Sequence, residues 1–449
     1  MYRYAESRLR QWLAQGKSAL LIHGARQVGK TWLIREVLQQ TETDFFEINL
    51  LERPDILSQI KQIQEAGALE KHLALYSPRP LEPGSSVIFL DEIQVYPEIL
   101  TVIKFLADAG QYRYILSGSN LGIELKGLRS MPVGYVDQWQ MYPMNLFEFS
   151  LALGAGKETL AHIEECFRLL RPVDPVIHQQ MLRAFYYYLM TGGMPGVVSA
   201  FLEKQNLQSV YTEQQNLINQ YKADFIKYEA ENRRLKIISV FDSIPSQLNK
   251  QNRRFVFTYL NKELKFDRYE ESFLWLKDAS VAIPVYNAQE PVVPLEQSKA
   301  SNLFKLFQND VGLLTSCYPL QLRQDIMQME PEVSVHLGAV FENYVAEELY
   351  AAGQKVLYYK SAKIGEIDFL TEMDGSVLPI EVKSGRDYRT HKALDNLLFS
   401  KDYAIESAVV LSPNNVDTVG RIRYLPVYMA PLLHSVEPKA ERVDIRIFS

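Results

Sequence analysis

One short stretch restricts this chain more than any other: Gly24-Ala25-Arg26-Gln27-Val28-Gly29-Lys30-Thr31, a glycine, any four residues, then Gly-Lys-Thr. An apolar run, Ala19-Leu20-Leu21-Ile22, precedes it as a buried strand, and Trp32-Leu33-Ile34-Arg35-Glu36-Val37-Leu38 follows as a helix. The glycines let backbone N–H groups curl around a polyphosphate at the start of that helix, where its dipole favours negative charge. Lys30 would reach the β- and γ-phosphates and the Thr31 hydroxyl would hold Mg²⁺. The expected ATP contacts are Gly24, Gln27, Val28, Gly29, Lys30, Thr31 and Trp32.

A second strand, Val87-Ile88-Phe89-Leu90, ends in Asp91-Glu92. Asp91 is placed to bind the magnesium and Glu92 to polarise the attacking water. A third, Tyr112-Arg113-Tyr114-Ile115-Leu116, ends in Ser117-Gly118-Ser119-Asn120. Those small polar residues would sense the γ-phosphate or cap a helix. Arg129 is either an arginine finger toward a neighbouring subunit of a homo-oligomer or a surface arginine.

The chain has 449 residues, 47% of them hydrophobic, enough for several domains with cores of their own. Its net charge is −6, so any nucleic-acid contact must be local. No apolar run approaches the roughly 20 residues that span a bilayer. The start lacks an apolar signal core, and Cys166 and Cys317 have no metal-type spacing. Cytoplasmic residence and no membrane association are the expectation.

Residues 1–150 alternate strands and helices, with strands expected at 18–23, 44–49, 86–91, 112–117 and 133–139, which implies a parallel sheet. Residues 151–230 read as helical, broken at Gly192-Gly193-Met194-Pro195-Gly196. Residues 231–300 suggest a winged-helix-like module: short helices, a strand at 280–286 and a wing at 290–294. Within 233–268 nine Lys/Arg face three Asp/Glu, an excess able to contact phosphates. The helix best placed to read a groove, 269–279, carries Glu270, Glu271 and Asp278 against Lys277. DNA or another nucleic acid is therefore one partner, and a solvated or inter-domain face the other reading.

Residues 301–449 hold a second constellation. Asp374-Gly375 between two apolar runs signals a two-residue hairpin. Folding there pairs residues whose numbers sum to 749, so Asp368 faces Glu381 and Glu366 faces Lys383. Opposed Cβ atoms lie about 4.5–5.5 Å apart, and like charges so placed repel. A divalent cation, Mg²⁺ or Mn²⁺, would relieve the repulsion, and Lys383 would orient a bound water. A salt-bridge cluster around Lys383 would also relieve it. The expected amphipathic helix His336 to Tyr350 carries Glu342, which could add a carboxylate.

Taken together, these motifs resemble a family of prokaryotic AAA-type ATPases whose C-terminal domain looks like a restriction-endonuclease fold. The resemblance spans nearly the whole chain. It rests on the phosphate loop, on Phe89-Leu90-Asp91-Glu92-Ile93-Gln94, on Leu116-Ser117-Gly118-Ser119 and on Pro132-Val133-Gly134 leading to Met141-Tyr142-Pro143-Met144. It continues through Gly192-Gly193-Met194-Pro195, Ile244-Pro245-Ser246-Gln247-Leu248, Gly338-Ala339-Val340-Phe341-Glu342-Asn343 and Glu381-Val382-Lys383. The implied fold is α/β: a P-loop NTPase core, a helical region, a winged-helix-like module and a restriction-endonuclease-like domain. Lys30, Thr31, Asp91 and Glu92 match the family's ATP site. Glu342, Asp368, Glu381 and Lys383 match the nuclease pattern of a helix acid, Asp, then Glu-x-Lys. Tyr135 stands where similar proteins often carry Arg or Lys. The implied function is Mg²⁺-dependent ATP hydrolysis with a nuclease-like domain acting on or binding nucleic acid. Its rival is a nucleotide-dependent switch whose nuclease-like domain is inactive. A protein remodeller is a weaker third, since nothing resembles a substrate-threading loop.

Overall fold

A computed structural model describes residues 1–63, 65–119, 134–228, 231–250, 253–255, 269–329 and 337–434. Asn120, Arg129, Pro132, Val133 and His336 lie outside these residues, as do Lys262, Lys265 and Arg268 from the basic stretch.

The first sheet is parallel throughout. Its strands are β1 (Ala19–Gly24), β2 (Phe45–Asn49), β3 (Val87–Asp91), β4 (Arg113–Ser119) and β5 (Val136–Gln140), in the order β2-β3-β4-β1-β5. β1 and β3 are central and covered on both faces, which is why they read as unbroken apolar runs instead of alternating. The helix Ile99–Ala109 turns Ile99, Leu100, Ile103 and Leu106 inward and ends on Gly110 in the left-handed region. β4 lies between β1 and β3, so the phosphate loop and the acidic strand end flank a crevice at the carboxyl edge.

Helices follow at Lys157–Leu169, Pro175–Thr191, Pro195–Lys204 and Leu207–Tyr228. The Gly192-Gly193 break separates the second from the third. It cannot carry side chains, because a Cβ on Gly193 would lie 1.9 Å from the Met144 carbonyl oxygen.

The second sheet has eight strands in the order β12-β13-β11-β10-β9-β8-β6-β7. They are β6 (Ala282–Ala288), β7 (Lys299–Gln308), β8 (Leu357–Ser361), β9 (Gly365–Met373), β10 (Ser376–Val382), β11 (Ala408–Ser412), β12 (Asp417–Val419) and β13 (Ile422–Pro426). One of these strands falls in the 231–300 segment, the one expected to form a winged-helix-like module. The strand at its end is β6, which pairs with β7 and runs parallel to β8, so it belongs to the C-terminal sheet. A strand with a following loop looks alike in either setting; the parallel partner β8 lies more than 60 residues downstream. The acidic helix, Glu270–Asp278, buries Phe273, Trp275 and Leu276, and Glu271 pairs with Arg233 from the basic stretch.

The helix Gly338–Ala351 is not amphipathic as expected. All residues from Ala339 to Leu349 are buried, including Glu342, Asn343, Glu347 and Glu348. It contacts β6, β7 and β10 on the sheet side and the helix Val311–Thr315 on the other. Its acids therefore need internal partners. Among the described residues no helix is long and apolar enough to cross a membrane.

Candidate functional site

The phosphate loop joins β1 to the helix Lys30–Gln40. Gly24 has φ 149°, and a Cβ there would lie 2.2 Å from the Met141 carbonyl oxygen, so only glycine fits. Gly29, at φ 94°, starts the helix in the left-handed region, and Gln27 has φ 64°. The Lys30 ammonium is buried beneath the loop, donating to the Ala25 oxygen at 2.9 Å and the Gly24 oxygen at 3.3 Å. Burial lowers its pKa to about 8, against the pull of Glu92 and Asp91. Burial, and then Lys30, keep the His23 imidazole neutral, near pKa 4.

Thr31 Oγ1 donates to Asp91 Oδ2 at 3.0 Å, and the Ser117 hydroxyl donates to Asp91 Oδ1. The expected magnesium ligands are thus brought together across β4. Asn49 Nδ2 reaches Asp91 Oδ2 at 3.5 Å. Glu92 turns out of the strand at φ 57° and accepts from the Gln94 amide. Of the small polar residues, Ser117 touches Asp91, and Ser119 lies beside Gly24 in the β1–β4 register. Trp32 points outward, 47% exposed.

Three clamps on the loop had no signal in the local pattern. Arg3 donates to the Val28 oxygen (2.8 Å), the Tyr142 oxygen (2.7 Å) and Glu148 (3.2 Å). Glu148 also closes a capping box with Asn145, a pairing visible in the sequence as Asn-x-x-Glu. From the helix Leu207–Tyr228, Asp224 accepts from Arg26 (2.6 Å) and Gln220 from Gln27 (2.5 Å).

In the second sheet, the hairpin register holds as expected. β9 and β10 pair from Ser376–Met373 to Ile380–Phe369, every pair summing to 749. Asp374 and Gly375 both have positive φ, 51° and 79°, as a type I′ turn requires. Beyond Ile380 the ladder changes: Asp368 Oδ2 accepts from the Val382 amide at 2.9 Å. Glu381 Oε1 accepts from Lys383 Nζ at 2.8 Å, while Oε2 is buried without a partner. Burial, then the nearby Asp368, raise the Glu381 pKa to about 7. Asp368, Glu381 and Lys383 are therefore neighbours.

Glu366 and Lys383 do not face each other. Glu366 turns instead to Lys305 (2.9 Å) and Lys360 (2.7 Å). Glu342 is almost fully buried and is held by Lys305 (3.4 Å) and Arg253. Lys305, wholly buried on β7, was not anticipated. Its signal is a lone charge inside the apolar run Leu303-Phe304-Lys305-Leu306-Phe307. Among the described residues, no three His, Cys, Asp or Glu side chains are grouped to hold a metal. An open groove runs past Lys383, lined also by Arg253, Ser384, Arg386 and Asn414.

The strand order and the Lys30–Thr31–Asp91 arrangement define the first sheet as a P-loop NTPase domain. Residues 16–150 match the family described as AAA domain. Residues 182–325 match a domain of unknown function (DUF8612), and residues 337–429 another (DUF4143). No curated protein matches the chain. Solved structures similar to it include the Walker-type ATPase PABY2304 of Pyrococcus abyssi, 17% identical with a TM-score of 0.41, covering 70% of this chain and 95% of that one. AMPPCP-bound DnaA from Aquifex aeolicus is 11% identical with a TM-score of 0.30, covering 62% and 90%. A DNA replication initiation factor is 12% identical with a TM-score of 0.27, covering 62% and 95%. Identities and scores this low assign no activity.

Proposed function

We propose that the protein is a Mg²⁺-dependent ATPase whose nucleotide state governs a C-terminal nuclease-like domain that engages nucleic acid. The observation that carries the ATPase reading is the convergence of Lys30, Thr31, Asp91 and Glu92 at one crevice. The Lys30 ammonium rests on two loop carbonyls that phosphate oxygens can replace. Thr31 and Asp91 would hold Mg²⁺, which when bound neutralises charge on the phosphates. Glu92, kept at the strand tip by Gln94, orients and deprotonates the attacking water. Glu92→Gln should abolish phosphate release while leaving ATP-analogue affinity within a few-fold of wild type; full turnover by that variant would refute the assigned base.

For the C-terminal domain, the Asp368, Glu381 and Lys383 cluster beside a groove carrying Arg253 and Arg386 supports phosphodiester engagement. Asp368 and Glu381 are the residues that would take Mg²⁺ or Mn²⁺ there, with Glu342 as a third acid.

One observation favours the second reading, a nucleotide-dependent switch that does not cut. The buried Lys305 ammonium already neutralises Glu342 and Glu366, as a metal would. Mn²⁺-dependent nicking of supercoiled plasmid decides between them. Cutting by wild type that disappears in Asp368→Ala supports a nuclease. No cutting across varied substrates, or equal cutting in both, supports the switch.

A further inference from the structure

The groove that runs past Lys383 has a volume of about 780 Å³ and a lining of two kinds. Tyr186, from the helix Pro175–Thr191, together with Met329 and Leu337, makes part of it apolar. Arg253, Lys383 and Arg386 make the rest basic. Arg253 and Lys383 each already hold a carboxylate, Glu342 and Glu381, yet keep 27% and 26% of their side chains exposed. Arg386 is exposed. Lys383 belongs at once to the groove and to the acid pair, so a strand seated in the groove lies against the group that holds Glu381.

A duplex shows its surroundings sugars and phosphates, with its bases stacked inside. Proteins that hold one typically neutralise about six to ten phosphates. The groove offers three cations, two of them shared with carboxylates, and a net charge of −6 supplies no general field to make up the difference. Phosphates also gain nothing by leaving water for an apolar lining. An unpaired strand differs, because it turns base faces as well as phosphates toward the protein. Those faces stack on aromatic side chains for about 1–3 kcal/mol per base. A cleft of about 780 Å³ admits a short run of unpaired nucleotides, whereas one turn of duplex is about 34 Å long and stays outside it.

We propose, building on the nucleic-acid reading of the C-terminal domain, that this groove selects single-stranded nucleic acid or the unpaired tail of a duplex. Bases lie against Tyr186 and Met329, and phosphates are held by Arg253, Lys383 and Arg386.

The test is fluorescence anisotropy of the full chain, free of nucleotide and in EDTA so that no metal-dependent cutting intervenes. The probes are one mixed-sequence strand as DNA and as RNA, the blunt duplex of each, and a DNA duplex with an unpaired tail. The strand and the tailed duplex should bind at least tenfold tighter than the blunt duplex, the equivalent of about one stacked base; the ratio of the two strands tells which sugar is preferred. Three phosphate contacts imply a slope of roughly −2 in log affinity against log salt, at about −0.7 per contact. Arg386→Glu should weaken the strand several-fold and flatten that slope. Met329→Asn, which suits the left-handed backbone at φ 59°, should weaken the strand several-fold and leave the slope unchanged. Both side chains are exposed, so the fold survives either change, with thermal midpoints as the check. A blunt duplex bound as tightly as the strand overturns the proposal and leaves the nucleic-acid reading intact. No binding by any probe removes both. A strand preference that survives both substitutions overturns the groove as its seat.

Discussion

Glu381→Gln isolates the electrostatic cost of the C-terminal acid. In the folded chain burial and Asp368 raise the Glu381 carboxyl from 4.5 to about 7. About 2.5 pKa units correspond to roughly 3 kcal/mol. The group is an acid with a raised folded pKa. Below pH 4.5 both folded and unfolded chains hold the proton and no cost appears. Between pH 4.5 and about 7 the unfolded chain releases it first, so stability falls as pH rises. Above pH 7 the full cost of about 3 kcal/mol is present. Glutamine keeps the shape and cannot ionise, so the variant should equal wild type near pH 4.5 and exceed it by up to about 3 kcal/mol at pH 8. The Lys383 contact, which lowers the pKa, is already contained in that net shift, and the glutamine oxygen can still accept from it. Asp310 and Glu348, raised to about 6 and about 8, titrate in both proteins and cancel in the difference. The measurement is urea unfolding of both proteins at pH 5, 6, 7 and 8 in EDTA. A difference independent of pH would refute the reasoning. Mn²⁺ at pH 8 should restore wild type and leave the variant unchanged if Asp368 and Glu381 hold the ion.

Lys305→Met should cost about 1–3 kcal/mol, because it leaves the buried Glu342 with Arg253 alone and Glu366 with Lys360 alone; adding Glu342→Gln should recover part of that, read by chemical denaturation. Gly193→Ala should destabilise by more than about 3 kcal/mol or prevent folding, since its Cβ would overlap the Met144 carbonyl; soluble yield and thermal midpoint report it. Asp224→Ala should cost about 1 kcal/mol, because its partner Arg26 keeps 41% of its side chain exposed and water can take over the lost bond. The same variant frees one clamp on the phosphate loop, so fluorescent ATP-analogue kinetics should show faster association.

The parts legible in the sequence were those written by neighbours in the chain. The phosphate loop needs glycine at Gly24 and Gly29 because backbone must turn there, and the expected strands around it fall within a few residues of the observed β1 to β4. The Asp374-Gly375 turn sets the β9–β10 register, so Asp368 and Glu381 become neighbours by counting alone. What escaped is written by contacts across long separations. Arg3 reaches Glu148 across 145 residues, and Lys305 reaches Glu342 across 37. Helical periodicity assigned one face of Gly338–Ala351 to solvent, although both faces are covered. A helix enclosed on all sides carries polar residues for its neighbours, and a local pattern does not distinguish those from solvated ones.

Those long contacts also give a physical route from nucleotide to the distant acids. The helix Leu207–Tyr228 holds the phosphate loop through Gln220 and Asp224 at one end. Further along it, the buried Gln214 donates to the carbonyls of Met190 and Thr191 and accepts from the buried Arg323. Thr191 runs into the Gly192-Gly193 break, where the Gly193 amide is held by Asp310. Asp310 acts on Glu347, one turn from Glu342 and Asn343 on the same helix. Asn343 in turn bonds both backbone groups of Gln308, three residues beyond Lys305 on β7. Under the proposed function, phosphates that displaced Lys30 from the Gly24 and Ala25 oxygens would reshape the loop and shift Arg26 and Gln27. Such a shift would bear on a series of buried polar contacts, each costly to leave unpaired. Spatial continuity alone does not establish coupling; a two-state element biased from both ends does. The Gly192-Gly193 segment has the features of that element. It lacks side chains, is fixed on one side by Met144 of the ATPase domain and on the other by Asp310, and has no room to relax without releasing one of them.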